Sequence, residues 1–185
     1  LRTTDGPTWR KRFDSRAAAR STALRGIFRY YELMAPLMDE EDIVYLGEGI
    51  TPIVEAAAPL RDQVGIPFAY KNDGQNPSAS FKDRGMACAF SYLKWLCRRN
   101  DWEEVLTVCA STGDTSAAAA LYASYVGAPL KSVVLLPHGK VTPQQLSQPL
   151  GSGATVLELP GVFDDCMKVV ELLAENYRVA LLNSK

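Results

Sequence analysis

The chain has 185 residues, of which 47% are hydrophobic and 22% charged, and its formal net charge is -1. These values are typical of a soluble globular protein with a buried core, and no apolar run reaches the roughly 20 residues that span a bilayer. The start of the chain has neither the basic segment nor the apolar centre of a secretion signal, so we expect a cytoplasmic protein without a membrane partner.

Cysteine and histidine are too sparse and too scattered for a zinc site. The four cysteines form no CxxC pair, and His138 is the only histidine. Zinc sites need several such ligands at short spacings. We therefore expect no metal, and we expect the cysteines to be reduced core residues because their neighbours are apolar.

Basic residues are concentrated at the start of the chain, where eight Lys or Arg and two Asp occur up to Arg29. Such an arm is able to contact nucleic acid, but a solvated helix face and a flexible end account for it more simply. The sequence also lacks the interleaved aromatic pattern of RNA-binding sheets. We expect no nucleic-acid partner.

Hydrophobic periodicity predicts four elements in the first part of the chain. Apolar residues recur at helical spacing from residue 15 until Pro36 limits the helix, and short β-branched or aromatic runs indicate strands. Gly and Pro in residues 47–52 mark a turn after the first strand. The predicted elements are a helix over 15–37, a strand over 43–46, a helix over 56–64 and a strand over 68–71.

The second part of the chain alternates strands and helices. A helix is predicted over 81–98, and four apolar runs are then separated by three helical stretches. This alternation predicts an α/β fold in which a parallel sheet has right-handed crossovers and helices on both faces. The predicted strands are 105–109, 132–136, 154–159 and 179–182, and the predicted helices between them are 115–126, 142–150 and 163–175.

Lys82 stands in the first turn of a predicted helix. Ser80 and Asp83 have the spacing of a capping box, with Ser80 as the N-cap, which is a purely structural interpretation. A lysine at this place also faces the positive end of the helix dipole, which disfavours its ammonium form and favours attack on a carbonyl cofactor. The residues alone leave both interpretations open, and they leave open whether Arg84 pairs with Asp83 or braces the lysine.

Two polar turns follow predicted parallel strands. Residues 111–115 again have a capping-box spacing, but the carboxyl ends of parallel strands are also where open α/β sheets bind ligands. The helix start there would suit a carboxylate or a phosphate. Asn183 and Ser184 follow the fourth strand at the same edge, where they form either an ordinary turn or a third wall of the site.

Several ordered motifs at matching separations resemble the fold-type II family of pyridoxal phosphate (PLP) enzymes, and within it the threonine synthases. Residues 46–52 read LGEGITP, residues 110–115 read ASTGDT, and residues 180–184 read ALLNS. Residues 76–86 read NPSASFKDRGM, with Ser78 and Ala79 where the family has Thr and Gly. The match extends over most of the chain.

The resemblance implies a tryptophan synthase β-like fold, PLP as cofactor and a carbon–oxygen lyase reaction on a phosphate ester. In that reaction O-phospho-L-homoserine and water give L-threonine and phosphate. Lys82 would hold PLP and act as base and acid, and the cofactor contacts would include Phe81 and Asp114. Many members have Asn in place of Asp114. The substrate contacts implied are Ser111, Thr112, Thr115, Asn183 and Ser184.

The family's glycine-rich loop for the PLP phosphate has no counterpart in this sequence. We therefore expect a fragment that is inactive alone, in which residues 1–75 belong to the larger PLP-binding domain and residues 76–185 form a smaller α/β domain, with the remainder of the larger domain absent. A homodimer is what the family suggests.

Two alternative functions stay open at this point. One is another fold-type II lyase or transferase, such as a serine or threonine dehydratase or a cysteine synthase-like enzyme. The other is a non-catalytic truncated homologue that binds a partner or a small anion. The intact Lys82 segment favours an enzyme, whereas the missing phosphate loop favours the homologue.

Overall fold

A computed structural model of the protein describes residues 3–19 and 24–183. The helices are α1 (Gly6–Ala18), α2 (Tyr31–Met34), α3 (Ala58–Val64), α4 (Lys82–Arg99), α5 (Asp114–Val126), α6 (Pro143–Gly151) and α7 (Phe163–Asn176). The strands are β1 (Ile53–Glu55), β2 (Ala69–Lys71), β3 (Val105–Ala110), β4 (Leu130–Pro137), β5 (Thr155–Leu159) and β6 (Val179–Leu181). Short 3-10 turns cover 26–30, 40–42 and 73–75.

The four strands of the second half form one parallel sheet in the order β5-β4-β3-β6. β3 is central, with Leu106 opposite both Lys131 of β4 and Val179 of β6. Consecutive strands are joined by helices α5, α6 and α7. The predicted α/β class and parallel sheet are confirmed.

Helices cover both faces of this sheet, as predicted. Because side chains alternate along a strand, Val105 and Cys109 of β3 face one way and Val108 and Ala110 face the other. The first pair packs in a buried cluster with α4 and α5, and the second pair packs in a cluster with α7. Burial on both sides is the reason that β3 is apolar at every position except Thr107.

The strand predicted over 43–46 is wrong. Val44 is buried, and its N–H donates to Ser91 Oγ on α4 at 2.8 Å. The N–H of Leu46 donates to Glu48 Oε2 at 2.9 Å. Because side chains take these two donors, the segment packs into the core without joining a sheet. The antiparallel partner of β2 is instead β1, where Val54 lies opposite Tyr70.

The single helix predicted over 15–37 is also wrong, although residues 20–23 lie outside the described residues. α1 begins earlier, with the Asp5 carboxylate accepting the Thr8 N–H at 2.8 Å. Gly26 then has φ +56°, which a continuing helix does not allow, and a Cβ there would lie 2.6 Å from the carbonyl oxygen of Glu48. The chain therefore turns at Gly26, and the charged pair Arg16–Glu32, at 2.6 Å, ties α1 to α2.

All four cysteines are free, and all but the partly buried Cys88 are fully buried. Burial raises the pKa of the Cys109 thiol to about 12, which keeps it protonated and unreactive. The prediction that the cysteines are free core residues is confirmed for Cys97, Cys109 and Cys166, whereas Cys88 lies at the edge of the core. None of the described helices has both the length and the apolar character needed to cross a membrane.

Candidate active site

Two adjoining cavities open at the carboxyl edge of the parallel sheet. The first, the lysine cavity, has a volume of about 280 Å³ and is lined by Phe81, Lys82, Gly85, Met86, Ala89, Thr115, Leu181, Leu182 and Asn183. The second, the serine cavity, has a volume of about 250 Å³ and is lined by Ala110, Ser111, Thr112, Thr115, Pro137, Phe163 and Asn183. Thr115 and Asn183 belong to both linings, so the two cavities share a wall.

Two larger clefts lie at the opposite edge of the sheet. One, of about 580 Å³, surrounds the residues before β3 and β6, and the other, of about 540 Å³, surrounds the residues before β4 and β5. These are the amino ends of the strands, whereas ligands of open parallel sheets bind at the carboxyl ends. We therefore place the candidate site at the lysine and serine cavities despite their smaller size.

Lys82 is the first residue of α4, and Phe81 lies beside it in the lysine cavity. The Lys82 Nζ atom lies 4.9 Å from the centroid of the Phe81 ring, and that ring is 57% exposed. A half-exposed aromatic ring beside an amine offers a flat apolar surface on which a second ring is able to stack. The amine and the aromatic surface therefore face the same space.

The capping box predicted for Ser80 and Asp83 is wrong. Ser80 Oγ does accept the Lys82 N–H at 3.2 Å, but the helix has Phe81 at its N-cap. The Asp83 carboxylate reaches further back and accepts the N–H of Ser78 at 2.7 Å. The reason is the left-handed turn at Ala79, which brings the Ser78 N–H over the first turn of the helix.

Ala79 has φ +63°, a conformation that favours glycine and that glycine would adopt without strain. We expect Ala79→Gly to raise the free energy of unfolding by about 1 kcal/mol, because relief of the strain exceeds the entropy that glycine adds to the unfolded chain. Urea unfolding measures the change. The matched variant Ala174→Gly, at an exposed position within α7, should lower stability instead. A loss of stability in both variants would contradict the assignment of strain.

Arg84 pairs with Asp73 and not with Asp83. Its two terminal nitrogens lie 2.9 Å and 2.8 Å from the two carboxylate oxygens of Asp73, which also accepts the Thr51 hydroxyl at 2.7 Å. This two-pronged contact lowers the pKa of Asp73. It ties the first turn of α4 to the turn at residues 72–75 and to the end of the 46–52 turn.

Glu48 is completely buried between the 46–52 turn and α5. Its Oε2 atom accepts the Tyr122 hydroxyl at 2.8 Å and the Leu46 N–H at 2.9 Å. Burial raises the pKa of Glu48, and burial together with the neighbouring carboxyl raises the pKa of Tyr122. The hydrogen bond to Tyr122 connects the turn to the helix that follows the 111–113 loop.

The second predicted capping box, at residues 111–115, is wrong as well. α5 begins at Asp114 with Gly113 at its N-cap, and Ser111 Oγ accepts the Gly113 N–H at 3.4 Å instead of capping the helix. Ser111 and Thr112 line the serine cavity, and the buried Thr115 lines both cavities. Asp114 is exposed and lines neither cavity.

Asn183 closes the edge of the sheet beside both cavities. Its Oδ1 atom accepts the N–H of Ala110, the last residue of β3, at 2.8 Å, and its Nδ2 atom lies 3.2 Å from Met167 Sδ on α7. The side chain therefore continues the hydrogen bonding between β3 and β6 past the end of β6. Ser184, the other residue predicted in this turn, lies outside the described residues.

The lining of the lysine cavity suits a planar small molecule beside the amine of Lys82. Gly85 lies one turn beyond the start of α4, and a Cβ atom placed there would meet no other atom within 4 Å, so a side chain would occupy open space beside the amine. Met86 and Leu182 give apolar walls, and the hydroxyl of Thr115 and the amide of Asn183 add polar groups. One amine among apolar walls and a few polar groups is the usual composition of a small-molecule site.

An open parallel α/β sheet with a lysine-bearing cavity at its carboxyl edge is the arrangement found in α/β enzymes that act on small molecules. Residues 44–184 match the family described as "Pyridoxal-phosphate dependent enzyme". The chain belongs to this family, whose cofactor is PLP.

Curated proteins that resemble this chain in sequence are named threonine synthase. The chain is 41% identical over 162 residues to a threonine synthase of Synechocystis sp. and 42% identical over 160 residues to one of Methanocaldococcus jannaschii. In both cases the match covers 86% of this chain, but only 40% and 37% of the relative. The chain thus spans about two fifths of the length of the curated relatives that it matches.

Solved structures share the fold at low identity. Diaminopropionate ammonia lyase of Escherichia coli matches with a TM-score of 0.59 and 17% identity, over 73% of this chain and 40% of its own. A hydrogen sulfide-producing enzyme of Fusobacterium nucleatum matches with a TM-score of 0.58 and 20% identity, over 72% of this chain and 43% of its own. At this identity the likeness concerns the fold alone.

Sequence reasoning missed part of the lining. Phe163 begins α7 directly after the loop that follows β5, and it lines the serine cavity with Pro137 at the end of β4. The rule that ligands bind beyond the carboxyl ends of parallel strands would have selected both positions. There was no such indication in the sequence for Gly85, because a glycine within a helix predicts only a lower stability of that helix.

Proposed function

We propose that the whole protein is a PLP-dependent threonine synthase that converts O-phospho-L-homoserine and water to L-threonine and phosphate. The observation that carries the proposal is that Lys82 shares a cavity with Thr115 and Asn183, next to a second cavity with polar walls. The relatives named threonine synthase support the choice of reaction. No comparison favours a dehydratase, a cysteine synthase-like enzyme or a non-catalytic homologue.

Lys82 holds the cofactor in this proposal and afterwards transfers protons. When bound, PLP supplies an electron sink for negative charge that develops on the substrate carbons. The amine of Lys82 accepts the proton from the α carbon and exchanges protons at the β carbon. Phe81 provides the apolar face that keeps water from the amine.

The polar wall of the serine cavity binds the charged ends of the substrate. The hydroxyls of Ser111, Thr112 and Thr115 donate hydrogen bonds to the substrate carboxylate, close to the start of α5, where an anion is favoured. Asn183 and Ser184 are assigned to the substrate phosphate. Asp114 is assigned next to the cofactor ring, and its exposed position suits a carboxylate that is turned away from the ring oxygen.

The organisation of the whole protein belongs to the same proposal. Residues 1–75 are assigned to the larger PLP-binding domain and residues 76–185 to the smaller domain, within a cytoplasmic enzyme of threonine biosynthesis that forms a homodimer. The 185-residue chain alone is expected to bind PLP weakly and not to turn over. Threonine formation by a chain that intact mass shows to end at Lys185 would contradict this expectation.

Two product assays on the whole protein test the reaction. Phosphate release from O-phospho-L-homoserine, matched by L-threonine, is the expected result. Ammonia release from L-threonine or L-serine without phosphate release would instead identify a dehydratase. Failure of both assays, together with failure of borohydride to fix PLP to Lys82, would leave a non-catalytic homologue.

A further inference from the structure

Two buried carboxyl groups flank the segment that carries Lys82, and each has one oxygen without a partner. Glu48 and Asp83 are both completely buried. Among the described residues, no hydrogen-bond partner is found for Glu48 Oε1 or Asp83 Oδ1. An ionised carboxylate in such a place is costly unless a cation or a proton neutralises it.

Asp83 lies between two cationic residues, Lys82 and Arg84, and the Lys82 amine lies over the Phe81 ring, 4.9 Å from its centroid. Arg84 directs both of its terminal nitrogens to Asp73, at 2.9 Å and 2.8 Å. It lowers the pKa of Asp83 less than burial raises it, and burial raises the pKa of Glu48 as well. The titratable and charged groups that act on the two carboxyls are Tyr45 just before the 46–52 turn, Arg84 on α4, and Tyr122 and Asp114 on α5. Of these groups, only Arg84 is cationic.

We propose that Glu48 and Asp83 retain one proton as a pair at neutral pH, and that this pair positions Lys82 by joining the start of α4 to the 46–52 turn and to α5. Burial and the charge of Asp83 both contribute to the raised pKa of Glu48, so the two groups are coupled and the proton is assigned to the pair and not to either residue. Their role toward Lys82 rests on the proposed function, whereas the retained proton does not.

The hydrogen bonds explain how the pair positions the lysine. Glu48 Oε2 accepts from Tyr122 on α5 and from Leu46 on the turn, and Asp83 Oδ2 accepts from Ser78. Asp83 is the residue next to Lys82, so its carboxyl fixes the backbone from which the amine extends. A second negative charge in this buried space would push the turn and the helix apart, which the retained proton prevents.

The pH dependence of stability tests the retained proton. The folded chain keeps a proton that the unfolded chain loses above the ordinary values of 3.8 and 4.5, so stability should fall as the pH rises beyond them. One proton corresponds to a decrease of up to about tenfold in the folding equilibrium constant per pH unit. Urea unfolding between about pH 5 and about pH 8 measures the decrease.

Neutral substitutions assign the proton to the pair. We expect Glu48→Gln and Asp83→Asn each to flatten the pH dependence, and the exposed control Glu55→Gln to leave it as in the wild type. Ion pairs such as Arg16–Glu32 do not produce a slope in this pH range. This pair lowers the pKa of Glu32 to about 2, so its contribution to stability changes with pH only below the ordinary value of 4.5. An unchanged slope in both buried variants would overturn the proposal.

Infrared spectroscopy gives a second measurement that does not need the variants to fold. The folded wild type at neutral pH should show the carbonyl band of a protonated carboxylic acid, and unfolding should remove it. Absence of this band would overturn the retained proton.

Fixation of PLP by borohydride tests the positioning role. Glu48→Gln keeps the neutral shape and should label Lys82 at close to the wild-type rate, whereas Glu48→Ala should label it more slowly. Equal rates in the two variants would overturn the positioning role. If PLP failed to label Lys82 in the wild type, the result would count against the proposed function. The pH dependence of stability would still test whether the pair retains a proton.

Discussion

Replacing Lys82 by alanine is expected to abolish the borohydride-stable attachment of PLP to the chain. Reduction converts the linkage between a lysine amine and the cofactor aldehyde into a stable bond, which peptide mapping locates. Among the residues that the structure describes, Lys82 is the only lysine that lines the lysine cavity. In the whole protein, the same change should remove measurable turnover.

Lys94→Ala is the matched control for this experiment. Lys94 lies on the same helix, α4, but its amine donates to the carbonyl oxygen of Glu41 at 2.8 Å, away from both cavities. This variant should retain full labelling at Lys82. Equal labelling of the Lys82→Ala chain and the wild type, at whatever residue, would remove Lys82 from the role of cofactor lysine.

Replacing Asn183 by alanine should reduce both stability and cofactor capture. The Ala110 N–H is buried and donates to Asn183 Oδ1, so loss of the acceptor leaves a buried donor unpaired at a cost of about 1–3 kcal/mol. The same side chain, together with Thr115, forms the wall that the lysine and serine cavities share, and its removal should widen the opening between them. Urea unfolding and the rate of PLP fixation at Lys82 measure the two effects.

Asn183→Asp separates these effects. An aspartate keeps an oxygen for the Ala110 N–H and keeps the wall, but it loses the amide N–H₂ that faces Met167 Sδ. We expect its stability to lie much closer to the wild type than that of Asn183→Ala. If alanine and aspartate lowered stability equally, the hydrogen bond to Ala110 would not be the contribution that matters.

The layers of the fold could be predicted because the signals that define them are local and repeated. β3 is apolar except at Thr107 and is followed by a helix rich in alanine, and the alternation of apolar strand and helix recurs along the second half. A parallel strand that is buried on both faces needs apolar residues on both faces, so its sequence pattern can be recognised without knowledge of its neighbours. The same regularity predicts from the sequence that Ser111, Thr112, Thr115 and Asn183 lie at one edge of the sheet.

The elements that were predicted wrongly depend on partners distant in sequence. Residues 43–46 have the composition of a strand, but Ser91 on α4 takes the N–H of Val44. The Ser80–Asp83 spacing fits a capping box, but the carboxylate serves Ser78 because Ala79 turns the chain back. Short patterns of this kind indicate which conformations a segment is able to adopt, and tertiary contacts determine which of them it adopts.

The contact between Arg84 and Asp73 has a consequence for motion within the molecule. Together with the hydrogen bond from Tyr122 to Glu48, it fastens the first turn of α4 to two segments that approach from different directions. The backbone that carries Lys82 is therefore held at both of these segments. We expect any opening that admits a reactant to come from the surrounding segments and from the side chain of Lys82, and not from a shift of the helix start.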